Sequence, residues 1–294
     1  MRLITAALTA LQAASALAAV AEPVEPRDLL SPLEPRAPAG RKCGSTDPPA
    51  ELVAQAESFH ANAQSLQAAA AHAPIVINTY FHVVTSTTKV GRYTQTQLNN
   101  QLTYMNNAYG SHGITYKLIS SDFTTNNQWA TGNYDSQMKP ALRKGTYSSL
   151  NVYFLSDLGG GLLGICNFPT NAPVGSSAFN QDGCDVLADS IPGGSATNFN
   201  LGGTAAHEVG HWHGLFHVFQ GSACSGAGDS VADTPLQKSP TSGCPASSDT
   251  CPNQAGLDSI HNYMDYSDDR CYNQFTAGQE TRMFQMWDMY RAGK

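Results

Sequence analysis

The sequence predicts an α/β fold with a twisted mixed sheet, followed by an irregular, disulfide-stapled part that ends in a C-terminal helix. Two observations lead to this class. Between Ile75 and Leu155 the pattern runs strand, helix, strand, strand, which is typical of an α/β layer with a mixed sheet, and a further strand follows up to Phe168. After His217 the pattern gives way to Gly, Ser, Asp and Pro with four cysteines. We therefore expect one regular part and one part that depends on covalent crosslinks.

Each element rests on a local pattern in the sequence. Runs of β-branched and aromatic residues predict four strands, which span Ile75–Val84, Ile114–Ser120, Leu150–Leu155 and Leu162–Phe168. A helix begins after the capping box Thr94–Gln97, because apolar residues then follow at helical spacing. A second capping box, from Thr276 to Gln279, predicts the C-terminal helix. Strong helix formers between residues 51 and 73 predict a weak surface helix.

The N-terminus has the features of a secretion signal. A basic start at Arg2 precedes an apolar stretch, and Ala16 and Ala18 fit an A-x-A cleavage site. The alternative for the apolar stretch is a buried N-terminal helix. We expect the chain to divide into a signal peptide at residues 1–18, a linker and pro-segment at 19–74, and a folded domain at 75–294 with an upper part (75–214) and a lower part (215–294).

Composition and charge narrow the classes of function. The 294 residues are 41% hydrophobic, which supplies enough apolar material for a packed core and argues against a largely disordered chain. The formal net charge of −7 disfavours nucleic acid as a partner. After the N-terminus no apolar run reaches the ~18 residues that span a bilayer, so no membrane partner is expected. Few charges and many neutral polar residues favour a secreted, extracellular protein, which we expect to be a monomer.

One segment carries a metal-ligand pattern. His207 and His211 are four residues apart, so on a helix both imidazoles lie on one face and can bind the same ion. Glu208 lies beside the first ligand and can reach a metal-bound water. Gly214 ends the helix with a sharp turn, which brings His217 back as the third ligand. Three histidines and a water predict one open, catalytic Zn²⁺ site; the alternative is a helix whose core histidines are satisfied without a metal.

A second segment resembles the methionine-containing turn that lies beneath the metal in metzincins. In the segment from Asn262 to Tyr266, Met264 would place its thioether under the histidines as an apolar floor. The hydroxyl of Tyr266 would stabilise the oxyanion of a substrate carbonyl. The alternative for Met264 is a methionine that fills the core. His213 lies off the ligand face of the helix, so we interpret it as structural.

Taken together, these residues resemble the pappalysin family of metzincins, and in particular the secreted extracellular metalloproteases of fungi. The resemblance covers Cys43 to the C-terminus and includes His207 to His217, Asn262 to Tyr266, the stretch 228–235 and the late cysteines. It implies a metzincin-like zinc-endopeptidase fold, with an upper α/β subdomain that contains the active-site helix and a lower irregular subdomain. It also implies that protein or peptide substrates bind in extended form along the edge strand 162–168.

Seven cysteines leave at least one thiol without a partner. The resemblance implies the crosslinks Cys224–Cys251 and Cys244–Cys271, although four cysteines allow three pairings and the sequence does not choose among them. We expect a third bond, Cys166–Cys184, because it would fix the edge strand with which a substrate pairs. The alternative for this pair is two buried free thiols.

A loop after the metal motif resembles a calcium-binding loop of the family. Asp229, Asp233 and Thr234 offer oxygen ligands close in sequence, which suits a structural Ca²⁺ ion. The alternative is a turn with solvated carboxylates. The residues alone do not distinguish the two.

The ligand set predicts a mechanism of peptide hydrolysis. Glu208 would act as general base on the zinc-activated water and would then protonate the leaving amine. A rival hypothesis is a secreted, non-catalytic zinc-binding module on a protease scaffold, which would have no need of Glu208. Acidic residues after Met264 predict a preference for a basic residue just after the scissile bond; they are Asp265, Asp268 and Asp269.

The odd cysteine stands in a segment that resembles the R-x-C-G cysteine switch of latent metzincins. A Cys43 thiolate would be a fourth zinc ligand and would displace the catalytic water. Gly44 lets the backbone approach the metal, and Arg41 would pair with a carboxylate of the cleft. We expect a zymogen that is activated by a cut between Cys43 and Pro74. The alternative is that Cys43 forms a disulfide in the mature protein.

Overall fold

A five-stranded mixed sheet lies at the centre of the computed structural model, which describes residues 40–45, 47–61 and 72–294. The strands are β1 Ile75–Thr85, β2 Ile114–Thr125, β3 Leu150–Leu155, β4 Gly164–Cys166 and β5 Cys184–Leu187. Their order across the sheet is β2-β1-β3-β5-β4, in which only β4 runs antiparallel to its neighbour. β4 therefore forms one edge of the sheet, where a further chain segment can pair with it.

The described residues contain six α-helices, namely α1 Ala50–Ala61, α2 Gln95–Tyr109, α3 Asp135–Leu142, α4 Ser177–Gln181, α5 Gly203–Trp212 and α6 Ala277–Met286. Both predicted capping boxes are present, so side chains satisfy backbone N–H groups at the starts of α2 and α6. None of the helices in the described part of the chain has the length and apolar character needed to cross a bilayer.

The main hydrophobic core lies between the sheet and the helices α2 and α5. Phe81 and Phe154 of the sheet share this core with Val209 and Trp212 of α5. β3 is buried along its whole length, because it pairs with a strand on each side and packs on both faces. This packing fixes α5 against the sheet and so fixes the position of every side chain that α5 carries.

Several elements differ from their sequence predictions for physical reasons. The edge strand expected over 162–168 is shorter, Gly164–Cys166, because β5 offers it partners at only three positions. The strand expected to end at Ser120 continues to Thr125, because β1 pairs with it over that length. The weak helix expected between 51 and 73 is α1, which spans Ala50–Ala61; residues 62–71 of that prediction and the predicted signal peptide lie outside the described residues, and residues 72 and 73 are not helical.

The chain after α5 has little regular structure and contains two disulfides. Between α5 and α6 the described residues form one short 3₁₀ turn, Asp269–Cys271, and a single β-bridge. The bonds in this part are Cys224–Cys251 and Cys244–Cys271, and a third bond, Cys166–Cys184, joins β4 directly to β5. All seven cysteines lie in the described residues, and Cys43 is the free one. Covalent crosslinks thus replace regular secondary structure as the constraint on this part of the chain.

Candidate active site

Helix α5 and the turn after it bring three histidines together. His207 and His211 lie on one face of α5, with ring centroids 5.0 Å apart. The chain reverses at Gly214, whose φ of 83° is in the left-handed region and where a Cβ would meet the Met286 side chain. The reversal places His217 Nε2 3.1 Å from His211 Nε2. The sequence pattern thus folds as one compact group of imidazoles.

Backbone carbonyls fix the tautomers of two of these rings. His207 Nδ1 donates to the carbonyl of Tyr263 at 2.7 Å, and His211 Nδ1 donates to the carbonyl of Leu215 at 2.8 Å. Each Nε2 therefore carries the lone pair, as a metal ligand must. Burial lowers the pKa of His211 to about 4 and also lowers the pKa of His207 and His217, which keeps the rings neutral at physiological pH.

The donor set fits a zinc ion. His207 Nε2 is buried and has no hydrogen-bond partner among the described residues, which is costly unless a ligand satisfies it. Donor atoms of the three histidines and of Cys43 all lie within 4.8 Å of one another. Imidazole nitrogens and a thiol sulfur are ligands that zinc prefers.

Glu208 lies beside the histidines and against strand β4. Its Oε2 accepts hydrogen bonds from Cys43 Sγ and from Ser45 Oγ, both at 3.3 Å. Burial raises the pKa of Glu208 to about 8. Gly164, the first residue of β4, allows this close approach, because a Cβ there would lie 2.5 Å from Glu208 Cγ. The carboxyl group is thus held between α5 and the edge strand.

Met264 and Tyr266 lie below and beside the three rings. Met264 is fully buried and its sulfur packs against α5 at Gly210, where the absence of a Cβ leaves room for it. The Tyr266 ring lies 5.1 Å from the His217 ring and 5.7 Å from the His207 ring. Its hydroxyl accepts a hydrogen bond from the backbone N–H of Cys43, and burial raises its pKa. The phenol is therefore next to the metal donors.

The segment around Cys43 pairs with the edge of the sheet. Lys42 accepts a backbone hydrogen bond from Leu163 at 2.8 Å, and Gly44 donates one to Gly164 at 2.7 Å. The bridge between Cys43 and Gly164 is parallel. Residues 42–45 thus add a short parallel strand to β4 and fill the cleft in front of the histidines.

Arg41 occupies a buried pocket at one end of this segment. Its guanidinium pairs with Asp269 at 2.5 Å and donates to Thr204 Oγ1 at 3.1 Å. The aromatic rings of Phe199 and Tyr272 lie about it, at 5.0 and 4.8 Å from the guanidinium carbon. The pocket therefore matches the charge, the planarity and the donor geometry of an arginine side chain.

The acidic residues expected near the cleft have different positions. Asp269 faces the pocket, whereas Asp265 accepts hydrogen bonds from the N–H groups of Thr241 and Tyr266. Asp268 lies 3.7 Å from the exposed Arg270. Of these three carboxylates, Asp269 is the one that pairs with Arg41. The acidic character predicted for this region therefore comes, at the pocket, from Asp269.

The predicted calcium ligands divide into two groups. Asp229 Oδ1 accepts hydrogen bonds from Thr234 Oγ1 at 2.6 Å and from the backbone of Val231, while its buried Oδ2 has no partner among the described residues. Asp233 instead accepts hydrogen bonds from Thr276 and from the N–H of Gly278, at the start of α6. Asp233 therefore stabilises a helix N-terminus, where a carboxylate is favourable.

Several residues that shape the site were not predicted from the sequence. Ser45 and Gly164 contact Glu208, and Phe199 and Tyr272 line the pocket of Arg41. The sequence signals near them were the R-x-C-G segment, which Ser45 follows, and the predicted edge strand 162–168, which contains Gly164. His213, which we expected to be structural, is buried and bonds through Nε2 to the Tyr116 hydroxyl at 2.8 Å.

Comparisons with known sequences agree with this arrangement. The family model described as Peptidase_M43, Pregnancy-associated plasma protein-A, matches residues 133–288. Extracellular metalloprotease 1 of Coccidioides posadasii is 53% identical over 259 residues, which cover 87% of this chain and 92% of that protein. An extracellular metalloprotease of Sordaria macrospora is 49% identical over 255 residues, which cover 85% of this chain and 89% of that protein.

The fold is also similar to that of a solved structure. Tannerella forsythia mature mirolysin in complex with a cleaved peptide is 26% identical with a TM-score of 0.60, and the match covers 74% of this chain and 93% of that chain. A mixed sheet over a helix with two histidines, and a third histidine after a glycine turn, define a metal-dependent peptidase. The chain belongs to the M43 peptidase family, the pappalysins, and is a zinc metalloendopeptidase.

Replacing Gly164 by alanine should lower the activity of the activated enzyme about 100-fold, because the new Cβ would displace the Glu208 carboxyl group. Gly110→Ala is the matched control, since Gly110 has helical backbone angles and an added Cβ there meets nothing within 4 Å. The measurement is kcat/KM on a peptide substrate, with thermal melting to verify the fold. Parental activity in Gly164→Ala would show that this contact does not position Glu208.

Proposed function

We propose that this chain is a secreted, latent endopeptidase whose own N-terminal segment blocks the active site until it is cut away. The observation that carries the proposal is the position of Cys43, whose sulfur joins the three histidine nitrogens in one group of donors. The extracellular names of the fungal relatives and the N-terminal sequence pattern support secretion.

Peptide hydrolysis in the open cleft depends on two side chains in addition to the ligands. His207, His211 and His217 would hold a zinc ion, which would supply Lewis-acid activation of a water and of the scissile carbonyl. Glu208 accepts a proton from the attacking water and passes it to the leaving nitrogen as the C–N bond breaks. Tyr266 donates a hydrogen bond to the carbonyl oxygen as negative charge develops there.

Glu208→Ala should abolish turnover and leave zinc binding intact, because the base is removed and the three histidines remain. Tyr266→Phe should reduce kcat by a factor of about 10 to 1,000, the scale of one lost oxyanion donor. Zinc content and kcat are measured for both, with Tyr134→Phe at the start of α3 as the control. Full turnover in Glu208→Ala would refute the assignment, and an unchanged rate in Tyr266→Phe would remove the phenol from the mechanism.

Latency is proposed because residues 42–45 contact each of the groups that hydrolysis needs. The Cys43 sulfur lies among the metal donors and donates to Glu208, and the Cys43 backbone N–H donates to the Tyr266 hydroxyl. Burial and the charge of Glu208 raise the pKa of the Cys43 thiol. A zinc ion held by the three histidines would favour the thiolate form of Cys43, since metal binding displaces the proton of a coordinating thiol.

Expression of residues 19–294 with Cys43→Ala should give an enzyme that is active without proteolytic processing, because zinc loses its fourth ligand. The parent should stay inactive until it is cut or treated with a thiol-reactive mercurial. Lys42→Ala, which removes an exposed neighbour, is the control and should behave as the parent. Equal activity of parent and Cys43→Ala from the moment of secretion would contradict the switch.

The pocket of Arg41 supports a preference for an arginine directly after the scissile bond. It combines a carboxylate, a hydroxyl acceptor and two aromatic rings around the guanidinium. A substrate arginine would take this pocket once the segment leaves, with Asp269 as its charge partner.

Asp269→Asn should lower kcat/KM for peptides with arginine after the scissile bond by about 100-fold, because a buried charge pair is lost. Peptides with methionine at the same position should lose much less. Asp268→Asn is the matched control, because among the described residues Asp268 forms its ion pair with the exposed Arg270 and not with Arg41. A cleavage profile of Asp269→Asn identical to that of the parent would exclude this pocket as the source of specificity.

We also propose a structural calcium ion at the loop of Asp229. Its support is the buried, unpartnered Oδ2 of Asp229, next to the hydroxyl of Thr234. A cation would satisfy that oxygen, whereas without one burial raises the pKa of Asp229 to about 7.

Calcium chloride should raise the melting temperature of the zinc-loaded protein, because a ligand that binds only the folded state stabilises it. The increment should vanish in Asp229→Asn, and Asp233→Asn should retain it, since Asp233 is engaged at the start of α6. Differential scanning calorimetry over a calcium titration measures this. If calcium raised the melting temperature of the parent and of Asp229→Asn by the same amount, the ion would not bind at this loop.

A further inference from the structure

Helix α1 lies in an apolar groove beside the active site. Leu52 and Ala56 are buried there, and Val53 and Phe59 pack against the same cluster. Leu52, Ala56 and Phe59 are spaced i, i+4 and i+7, which is the spacing of a helix that inserts one face into a groove. The contact is therefore that of a helical ligand with its receptor surface.

The groove is continuous with the metal site. Its apolar surface comes from Phe216 and Met286, with Phe168 and Tyr290 at its sides. The Phe168 ring contacts both the Phe216 ring, at 5.7 Å, and the ring of the metal ligand His211, at 5.2 Å. A chain that leaves the cleft past Cys166 consequently reaches the groove within a few residues, as the N-terminal segment does between Ser45 and Ala50.

A buried arginine forms the polar part of the groove. Arg282 donates from one nitrogen to the backbone carbonyl of Ala56 in α1 at 3.0 Å and to that of Ser230. Its Nε and its other terminal nitrogen are buried without a hydrogen-bond partner among the described residues. The groove thus offers hydrogen-bond donors to the backbone carbonyl groups of a helix. Such bonds do not depend on the side chains of that helix.

The direction in which a substrate runs along β4 decides which part of it would reach this groove. The N-terminal segment runs parallel to β4, whereas antiparallel pairing is the more stable arrangement for an added strand. A substrate that runs antiparallel to β4 places the residues before its scissile bond at the Cys166 end. Those residues then lead toward the groove.

We propose that the groove under α1 is an exosite of the activated enzyme, which binds an amphipathic helix of a protein substrate on the N-terminal side of the scissile bond. This inference rests on the proposed removal of the N-terminal segment. Once α1 has left, Phe216 and Met286 lie open to such a helix, with Arg282 beneath it. The exosite selects proteins over short peptides by lowering KM, and it takes no part in the chemistry.

The test uses the full chain after processing, with loss of residues 40–61 verified by mass spectrometry. One fluorogenic peptide carries arginine after the scissile bond. A second carries the same sequence preceded by residues 50–61 of this chain and a flexible linker. The second should have a KM about tenfold lower or more, with unchanged kcat, because the helix raises the local concentration of the cleavable part. Replacing Leu52 and Ala56 by Asp in the appended helix should restore the KM of the short peptide.

A groove variant and a direct binding measurement complete the test. Tyr290→Asp in the enzyme should raise KM for the helix-bearing peptide alone and leave the short peptide unaffected. A labelled 50–61 peptide should bind the activated enzyme by fluorescence anisotropy. Equal KM for both peptides, no anisotropy change, or an active enzyme that retains residues 50–61 would each overturn the exosite. If the short peptide is never cleaved, the proposed function fails, and the anisotropy measurement still decides the groove.

Discussion

The contact between helix α5 and strand β4 is the constraint on which the rest of the cleft depends. The core fixes α5 against the sheet through Val209 and Trp212, and Gly164 lets the carboxyl group of Glu208 lie against the edge strand. The base and the strand that pairs with an extended chain therefore keep a constant separation. With Met264 packed against α5 at Gly210, the metal ligands, the base and the edge strand are all positioned by the same packed core.

What the sequence predicted well was local. The capping boxes, the fully buried strand Leu150–Leu155 and the i, i+4 histidines all follow from residues that are neighbours in the chain. The length of the edge strand could not be predicted, because it depends on how many residues β5 offers. The sequence predicted a carboxylate partner for Arg41 but could not identify Asp269 and Thr204 as its partners, because these residues meet only in the folded chain.

The N-terminal segment occupies the same cleft that we propose binds the substrate. The segment runs parallel to β4, whereas we propose that a substrate runs antiparallel to it. The backbone carbonyl groups of the segment therefore do not match those of a substrate at the scissile bond. It still fills the arginine pocket, the metal group and the groove, through Arg41, Cys43 and α1. Several moderate contacts joined by a short chain reinforce one another, because each holds the others near their sites.

The disulfide between Cys166 and Cys184 makes the edge of the cleft dependent on the redox conditions around the enzyme. It joins β4 to β5 behind the edge that receives an extended chain, where only three residue pairs hold the strand. Thiol reductants in a cytosol would open this crosslink and leave a three-residue edge strand to hold its register by backbone hydrogen bonds alone. The bond that holds the edge of the cleft in place therefore suits an oxidising medium, such as the one outside the cell.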